Sequence, residues 1–213
     1  MYSIIFDVDG TLWDSTAVVA ESWNRAIKNA CGIDAGLDEA KLKKLFGKTM
    51  DEIGRIMLPS LSEAERSRVC EECFSYENEY LKDHPGVFYD GAVETLAKLA
   101  ETNDLYIVSN CQKGYIDVVL EHMGIGDKIK AFLCNGDNNL PKGDNIKLIM
   151  EQNNVAKAVY VGDIQGDSDA AHAAGIPMVY ASYGFGDVKD AEYRIDDIKE
   201  LPQLIARLDA SSK

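Results

Sequence analysis

Apolar residues in this chain gather into short runs that end in polar or small residues. Ile4–Phe6 leads into Asp7, Leu105–Val108 into Ser109-Asn110, Ala158–Val161 into Gly162-Asp163, and Met178–Tyr180 into Ala181-Ser182. Ala131–Cys134 is a weaker fifth run. Stretches with apolar residues three and four apart separate them: Val93, Leu96, Ala97, Leu99 and Ala100 in one, and Ile116, Val119, Leu120 and Met123 in another, the latter closed by Gly124. Short buried strands alternating with amphipathic helices predict βαβ units. The expected fold is therefore α/β, a Rossmann-like parallel sheet flanked by helices.

Residues 15–85 break this rhythm. They hold no convincing strand and read as several helices: one over about 15–31, one opening near Lys48 after Gly47, and one starting at Ser62. Glu65 stands three residues after Ser62, the spacing of a capping box. His84-Pro85-Gly86 then punctuates the chain. The first strand precedes this block and the other strands follow it. The block thus reads as a small all-helical cap (15–85) inserted into a core made of 1–14 and 86–213. It leaves the sheet directly behind Asp9-Gly10-Thr11.

A chain of 213 residues with 46% hydrophobic content suits one domain with a smaller lobe. No stretch approaches the roughly 18 apolar residues of a membrane span. The first nine residues carry two acids and no base, so a secretory signal is not expected and the cytoplasm is the expected location. The net charge of −14 argues against nucleic acid as a partner. It also repels anionic substrates, so any phosphate chemistry needs a local cation. The five cysteines, 31, 70, 73, 111 and 134, are an odd number and favour reduced thiols. Cys70 and Cys73 have C-x-x-C spacing but lie in an acidic helical segment with no second pair, so structural thiols are the expectation.

Asp7-Val8-Asp9-Gly10-Thr11 carries the most chemistry. In an extended chain residues i and i+2 face one side, so Asp7 and Asp9 bring two carboxylates together. Like charges so placed repel unless a cation lies between them, and Mg²⁺ is suited to one or two carboxylates plus phosphate and water. Gly10 allows a sharp turn or a close approach to a ligand. In a parallel sheet the ends of the other strands reach the same edge. Asp163 adds a third carboxylate there, and Asp167, four residues on, is placed to ligate through water or to orient the ligands. Ser109 offers a hydroxyl, and a helix expected near Cys111 offers free N–H groups for phosphate oxygens. Taken singly, Ser109 and Asn110 read equally well as a helix cap, and Asp167 as a partner of a helix dipole.

Together the segments resemble the haloacid dehalogenase superfamily of phosphohydrolases, in its phosphoglycolate-phosphatase-like branch with a helical cap behind the first strand. D-V-D-G-T-L-W-D-S at 7–15 is similar to the first family motif, V-S-N at 108–110 to the second, and V-G-D-I-Q-G-D-S-D-A-A-H-A-A-G at 161–175 to the fourth. The third motif, a lysine, is looser. Lys142 follows the fifth strand in a Pro141-Lys142-Gly143 turn, and its rival Lys147 lies inside the next helical pattern. The resemblance implies Mg²⁺ held by Asp7, the main-chain carbonyl of Asp9 and Asp163, with Asp167 beside it. It implies Asp7 as nucleophile and Asp9 as general acid and base. Thr11, Ser109, Asn110 and Lys142 are the implied phosphate contacts.

Asp9 points to phosphoryl chemistry, because dehalogenases and phosphonatases lack an acid at that position. A mutase resembling β-phosphoglucomutase would carry a histidine in the first cap helix, near Val19; the histidines here are His84, His122 and His172. A receiver-like signalling domain would be about half as long and place its acceptor on a middle strand. The expected activity is hydrolysis of a small phosphomonoester, of the phosphoglycolate or sugar-phosphate type. Lys48, Thr49 and Trp13 are candidate specificity contacts of the cap. Tyr183-Gly184-Phe185-Gly186 resembles the family's last loop near the site, though a plain turn explains its glycines equally well.

Overall fold

The computed structural model describes residues 1–211. In chain order, β1 (Ser3–Phe6) and the short β2 (Trp13–Asp14) lead into four helices: α1 (Thr16–Cys31), α2 (Glu39–Leu45), α3 (Met50–Met57) and α4 (Glu63–Asp83). There follow β3 (Val87–Phe88), α5 (Ala92–Leu99), β4 (Leu105–Ser109), α6 (Tyr115–Met123), β5 (Ile129–Cys134) and the single turn α7 (Asn135–Asn138). The chain then runs through α8 (Lys142–Gln152), β6 (Ala158–Gly162), α9 (Gln165–Ala174), β7 (Met178–Ala181), β8 (Tyr193–Ile195) and α10 (Leu201–Ser211).

The main sheet has the order β5-β4-β1-β6-β7-β8, and every pairing in it is parallel. Side chains alternate between its faces, as the two-residue period of a strand requires. Ile4, Phe6 and Ile107 pack with Leu96, Leu99, Leu204 and Ile205 on one face. Ile5, Tyr106, Val108 and Tyr160 pack with Ile146, Ile149 and Ala171 on the other. Both faces are covered, which is why these strands read as uninterrupted apolar runs. β1 lies between β4 and β6, so the chain reverses direction across the sheet beside it. The loops after these three strands flank the crevice in which ligands of open α/β sheets bind.

The capping box expected at Ser62 is present. Ser62 and Glu65 form the capping box of α4, and Thr49 with Glu52 forms a second one on α3. Gly32 and Gly124 close α1 and α6 with φ of +75° and +70°. Four features differ from expectation. The seven-residue α2 was not anticipated; its cap is Asp38, which accepts from the Lys41 N–H at 2.8 Å. β2 and β3 pair as an antiparallel ribbon, Trp13 opposite Phe88 and Asp14 opposite Val87, joining the two tethers of the helical insertion. β8 adds a three-residue edge strand. The helix expected near Cys111 begins only at Tyr115, because Gly114 at φ +86° turns the chain first.

Candidate active site

The chain leaves β1 at Phe6 and turns at once, so Asp7, Val8 and Asp9 form a loop rather than a strand end. Gly10 has φ +79°, and a Cβ there would meet the Asp163 carboxylate at 2.2 Å. Only glycine permits this approach. Leu12 and Thr11 then bond back to the Val8 carbonyl at 2.8 and 3.2 Å.

Three buried carboxylates, Asp7, Asp163 and Asp167, place oxygens within 4.8 Å of one another. One cation stands among them. Lys142 Nζ is 2.6 Å from Asp167 Oδ1 and 3.1 Å from Asp7 Oδ1, with its side chain 4% exposed. Burial alone would lower its pKa, but Asp167 and Asp7 override that and hold it well above the ordinary lysine value. Lys142 is the first residue of α8 and points inward, whereas Lys147 lies in solvent 3.5 Å from Asp144.

Each carboxylate is differently occupied. Asp167 is saturated: Oδ2 accepts from the Asp163 and Ile164 N–H groups at 3.0 and 3.1 Å, and Oδ1 from Lys142. It orients the cluster. Asp163 accepts from the Phe185 N–H at 2.7 Å and, weakly, from the Thr11 hydroxyl at 3.4 Å. Burial first, then the charges of Asp167 and Asp7, push its pKa well up. Asp7 Oδ1 is buried without a directed hydrogen bond, despite the nearby ammonium. Burial raises Asp7 from 3.8 to about 6, against the pull of Lys142. A buried cluster of hard oxygen donors with surplus negative charge, one oxygen lacking a directed hydrogen bond, fits a divalent cation.

The Asp9 carboxylate points away from this cluster. Its Oδ1 accepts from Tyr115 Oη at 2.6 Å and from Trp13 Nε1 and Ser15 Oγ at 3.2 Å each. Of the metal contacts expected from Asp9, this leaves its main-chain carbonyl. Burial raises its pKa to about 7, while the Tyr115 hydrogen bond opposes the rise. An acid held near neutrality is suited to both giving and taking a proton.

Asp7 and Asp9 nevertheless open into one cavity. The core lines it with Ser109, Asn110 and Gln112, and the insertion with Phe46, Lys48 and Glu77. The cavity is small, about 20 Å³ for the centre of a water-sized sphere. That admits little more than one water. The insertion is shut against the core: Asn110 Nδ2 donates to the Gly47 carbonyl at 2.8 Å, and Phe46 packs on Phe185 with centroids 6.2 Å apart.

The expected site residues therefore separate into groups. Asp7, Asp9, Ser109, Asn110 and Lys48 line the cavity. Lys142, Asp163 and Asp167 gather around Asp7 behind the cavity and do not line it. Thr11 is fully buried and spends its hydroxyl on Asp163. Thr49 is engaged in its capping box with Glu52, and the buried Trp13 packs on Phe88 and Tyr115 while donating to Asp9. Neither of the last two lines the cavity. Three contributors were missed. Tyr115 carried no signal, being an aromatic at a helix start. Glu77 is one acid among many in α4. Gln112 looked like an ordinary loop residue. The Tyr183–Gly186 loop is part of the site: Phe185 holds Asp163, and Tyr183 Oη donates to the Thr11 carbonyl at 2.9 Å. Cys70 and Cys73 are free thiols, pushed up to about 11 and about 12 by burial.

A six-stranded parallel sheet with acids gathered at its central switch point, under a helical insertion, defines a class of hydrolase. The sequence profile of the haloacid dehalogenase-like hydrolases matches residues 4–181, and the chain belongs to that family. A phosphoglycolate phosphatase of Mesorhizobium japonicum is 27% identical over 201 residues, covering 86% of this chain and 84% of its own. One from Photobacterium profundum is 30% identical over 196 residues, covering 85% and 83%. Among solved structures, a predicted phosphoglycolate phosphatase from Haemophilus somnus superposes with a TM-score of 0.83 at 23% identity, covering 96% of this chain and 98% of that one. A haloacid dehalogenase-like family protein from Streptococcus pneumoniae gives 0.81 at 18% identity, covering 96% and 98%.

Proposed function

We propose that the chain is a magnesium-dependent phosphatase that hydrolyses a small phosphomonoester, of the phosphoglycolate or sugar-phosphate type, through an aspartyl-phosphate on Asp7. Residues 15–85 act as its cap. The observation that carries this reading is the pairing of two acids in one cavity with opposite surroundings. Asp7 has its Oδ1 3.1 Å from the Lys142 ammonium and no directed hydrogen bond there, and Asp9 is held by three donors at a pKa of about 7. Relatives across most of the chain bear the phosphatase name.

Asp7, Asp163 and the main-chain carbonyl of Asp9 would hold Mg²⁺, which when bound neutralises phosphoryl charge. The Asp7 carboxylate attacks phosphorus as the bond to the leaving oxygen breaks, and Asp9 gives that oxygen its proton. The alcohol departs. Asp9, now ionised, takes a proton from a water that attacks the aspartyl-phosphate, releasing phosphate and restoring Asp7. Ser109, the Asn110 N–H and Lys142 bind the phosphoryl oxygens and stabilise the charge that develops on them. Closure of the cap excludes water from the first step, and its opening releases the products.

Phosphate release from small esters, with and without Mg²⁺, tests the reading. Chelator abolishes turnover, Asp7→Asn is inactive, and Asp9→Asn, given an activated ester whose leaving oxygen needs no proton, accumulates a phosphoenzyme visible as a mass increment of about 80 Da, one HPO₃ unit. Near-normal turnover in either variant refutes the assigned roles.

A further inference from the structure

Among the carboxyl groups lining the cavity, Glu77 is the one that the mechanism leaves unused. It sits within α4, 2% exposed, and its Oε2 accepts from Trp23 Nε1 at 2.5 Å. Gln112 of the core lines the cavity with it and is fixed by donating Nε2 to Asn78 Oδ1 at 3.0 Å. No lysine or arginine pairs with it among the described residues, and burial pushes its pKa up to about 8. An unpaired buried carboxyl is costly, and an apolar side chain would fill the same place without that cost.

The location gives the cost a use. With phosphorus at Asp7, the leaving alcohol extends toward the cap, where Trp23, Phe46, Met50 and Ile53 supply apolar walls and Glu77 and Gln112 supply hydrogen bonds. A hydroxyl entering there donates to Glu77 and accepts from the Gln112 amide. A carboxylate has only acceptors. It would carry its charge into a buried cavity with no buried cation to receive it: Lys48, the one cation lining it among the described residues, is solvent-exposed.

We propose that Glu77, with Gln112, selects phosphomonoesters whose leaving alcohol carries a second hydroxyl over the phosphate esters of hydroxy acids. This rests on the phosphatase reading above and narrows its substrate. A site built to hydrogen-bond a hydroxyl discriminates strongly against an analogue that lacks it, because its own polar groups are then left unpaired.

The test compares 2-hydroxyethyl phosphate with phosphoglycolate, which differ only in CH₂OH against carboxylate, with p-nitrophenyl phosphate as a generic ester, all in Mg²⁺. The wild-type protein is expected to favour 2-hydroxyethyl phosphate by at least about tenfold in kcat/KM. Glu77→Leu should erase that ratio, chiefly by raising KM for the hydroxylated ester. Glu77→Gln, which keeps an acceptor and a donor, should restore most of it. If Glu77→Leu fails to fold by circular dichroism, Gln112→Leu carries the same expectation. A wild-type preference for phosphoglycolate, or a ratio unmoved by these substitutions, overturns the proposal while leaving the phosphatase intact. Absence of Mg²⁺-dependent release from all three esters instead overturns the phosphatase reading itself.

Discussion

Asp7→Asn is expected to stabilise the metal-free protein while destroying its activity. Asp7 is 2% exposed, and its pKa is raised from 3.8 to about 6, first by burial and then by Asp167, against the opposing charge of Lys142. A carboxyl that binds its proton more tightly when folded loses stability as pH rises through the interval from about 3.8 to about 6, and the loss is complete above it. At 1.36 kcal/mol per pKa unit, the ionised Asp7 costs the metal-free fold about 3 kcal/mol at pH 7 and about 1 kcal/mol at pH 4.5. An amide cannot ionise, so Asp7→Asn recovers part of this, about 1–3 kcal/mol at pH 7. For a chain of this size that is roughly 2–12 °C in Tm. The assay is thermal melting in chelator at the two pH values, repeated in Mg²⁺. In chelator the variant melts above the wild type at pH 7, and the gap narrows at pH 4.5. In Mg²⁺ the order closes or reverses, since ion at a hundred times its Kd adds about 2.7 kcal/mol to the wild type and less to a site lacking a charged ligand. A variant that melts below the wild type in chelator at pH 7, or a gap indifferent to pH, refutes this account of the carboxylate cluster.

Gly184→Ala should weaken Mg²⁺ binding roughly 10–100-fold by calorimetry, because its Cβ would lie 2.3 Å from Asp163 Cβ and 2.4 Å from the Gly10 carbonyl, displacing what orients the ligand. Lys142→Met should abolish phosphate release and cost about 3–5 kcal/mol in denaturant unfolding, since it strands Asp7 and Asp167 without their cation. Lys147→Met, on the solvent side of α8, should leave kcat/KM within about twofold, as exposed ion pairs contribute little.

The parallel sheet was legible because each strand is buried on both faces and so spells an unbroken apolar run, bounded by a polar residue where the chain emerges. The acids at the ends of β1 and β6 were legible for the same reason: a charged residue directly behind such a run is costly unless it has work to do. What stayed hidden was short or cooperative. The β2–β3 ribbon has two residues per strand, too few for any period, and forms because the two tethers of the insertion must pass side by side. α2 has one good cap and seven residues. Tyr115, Gln112 and Glu77 acquire their importance from being gathered into one cavity with Asp9 by α4 and the β4–α6 segment, a property of the fold rather than of their neighbours in sequence. Gly184 looked like a turn glycine, yet its loop closes over Asp163 so tightly that a side chain has no room.

Trp13 belongs to two systems at once. Its backbone is one strand of the ribbon on which the helical insertion is slung, and its indole N–H donates to Asp9 Oδ1. On the proposed mechanism, swinging the lobe outward would tug on the side chain that protonates the departing alcohol. Such a linkage would make cleavage competence a property of the shut form, and an enzyme caught gaping would have a disarmed acid.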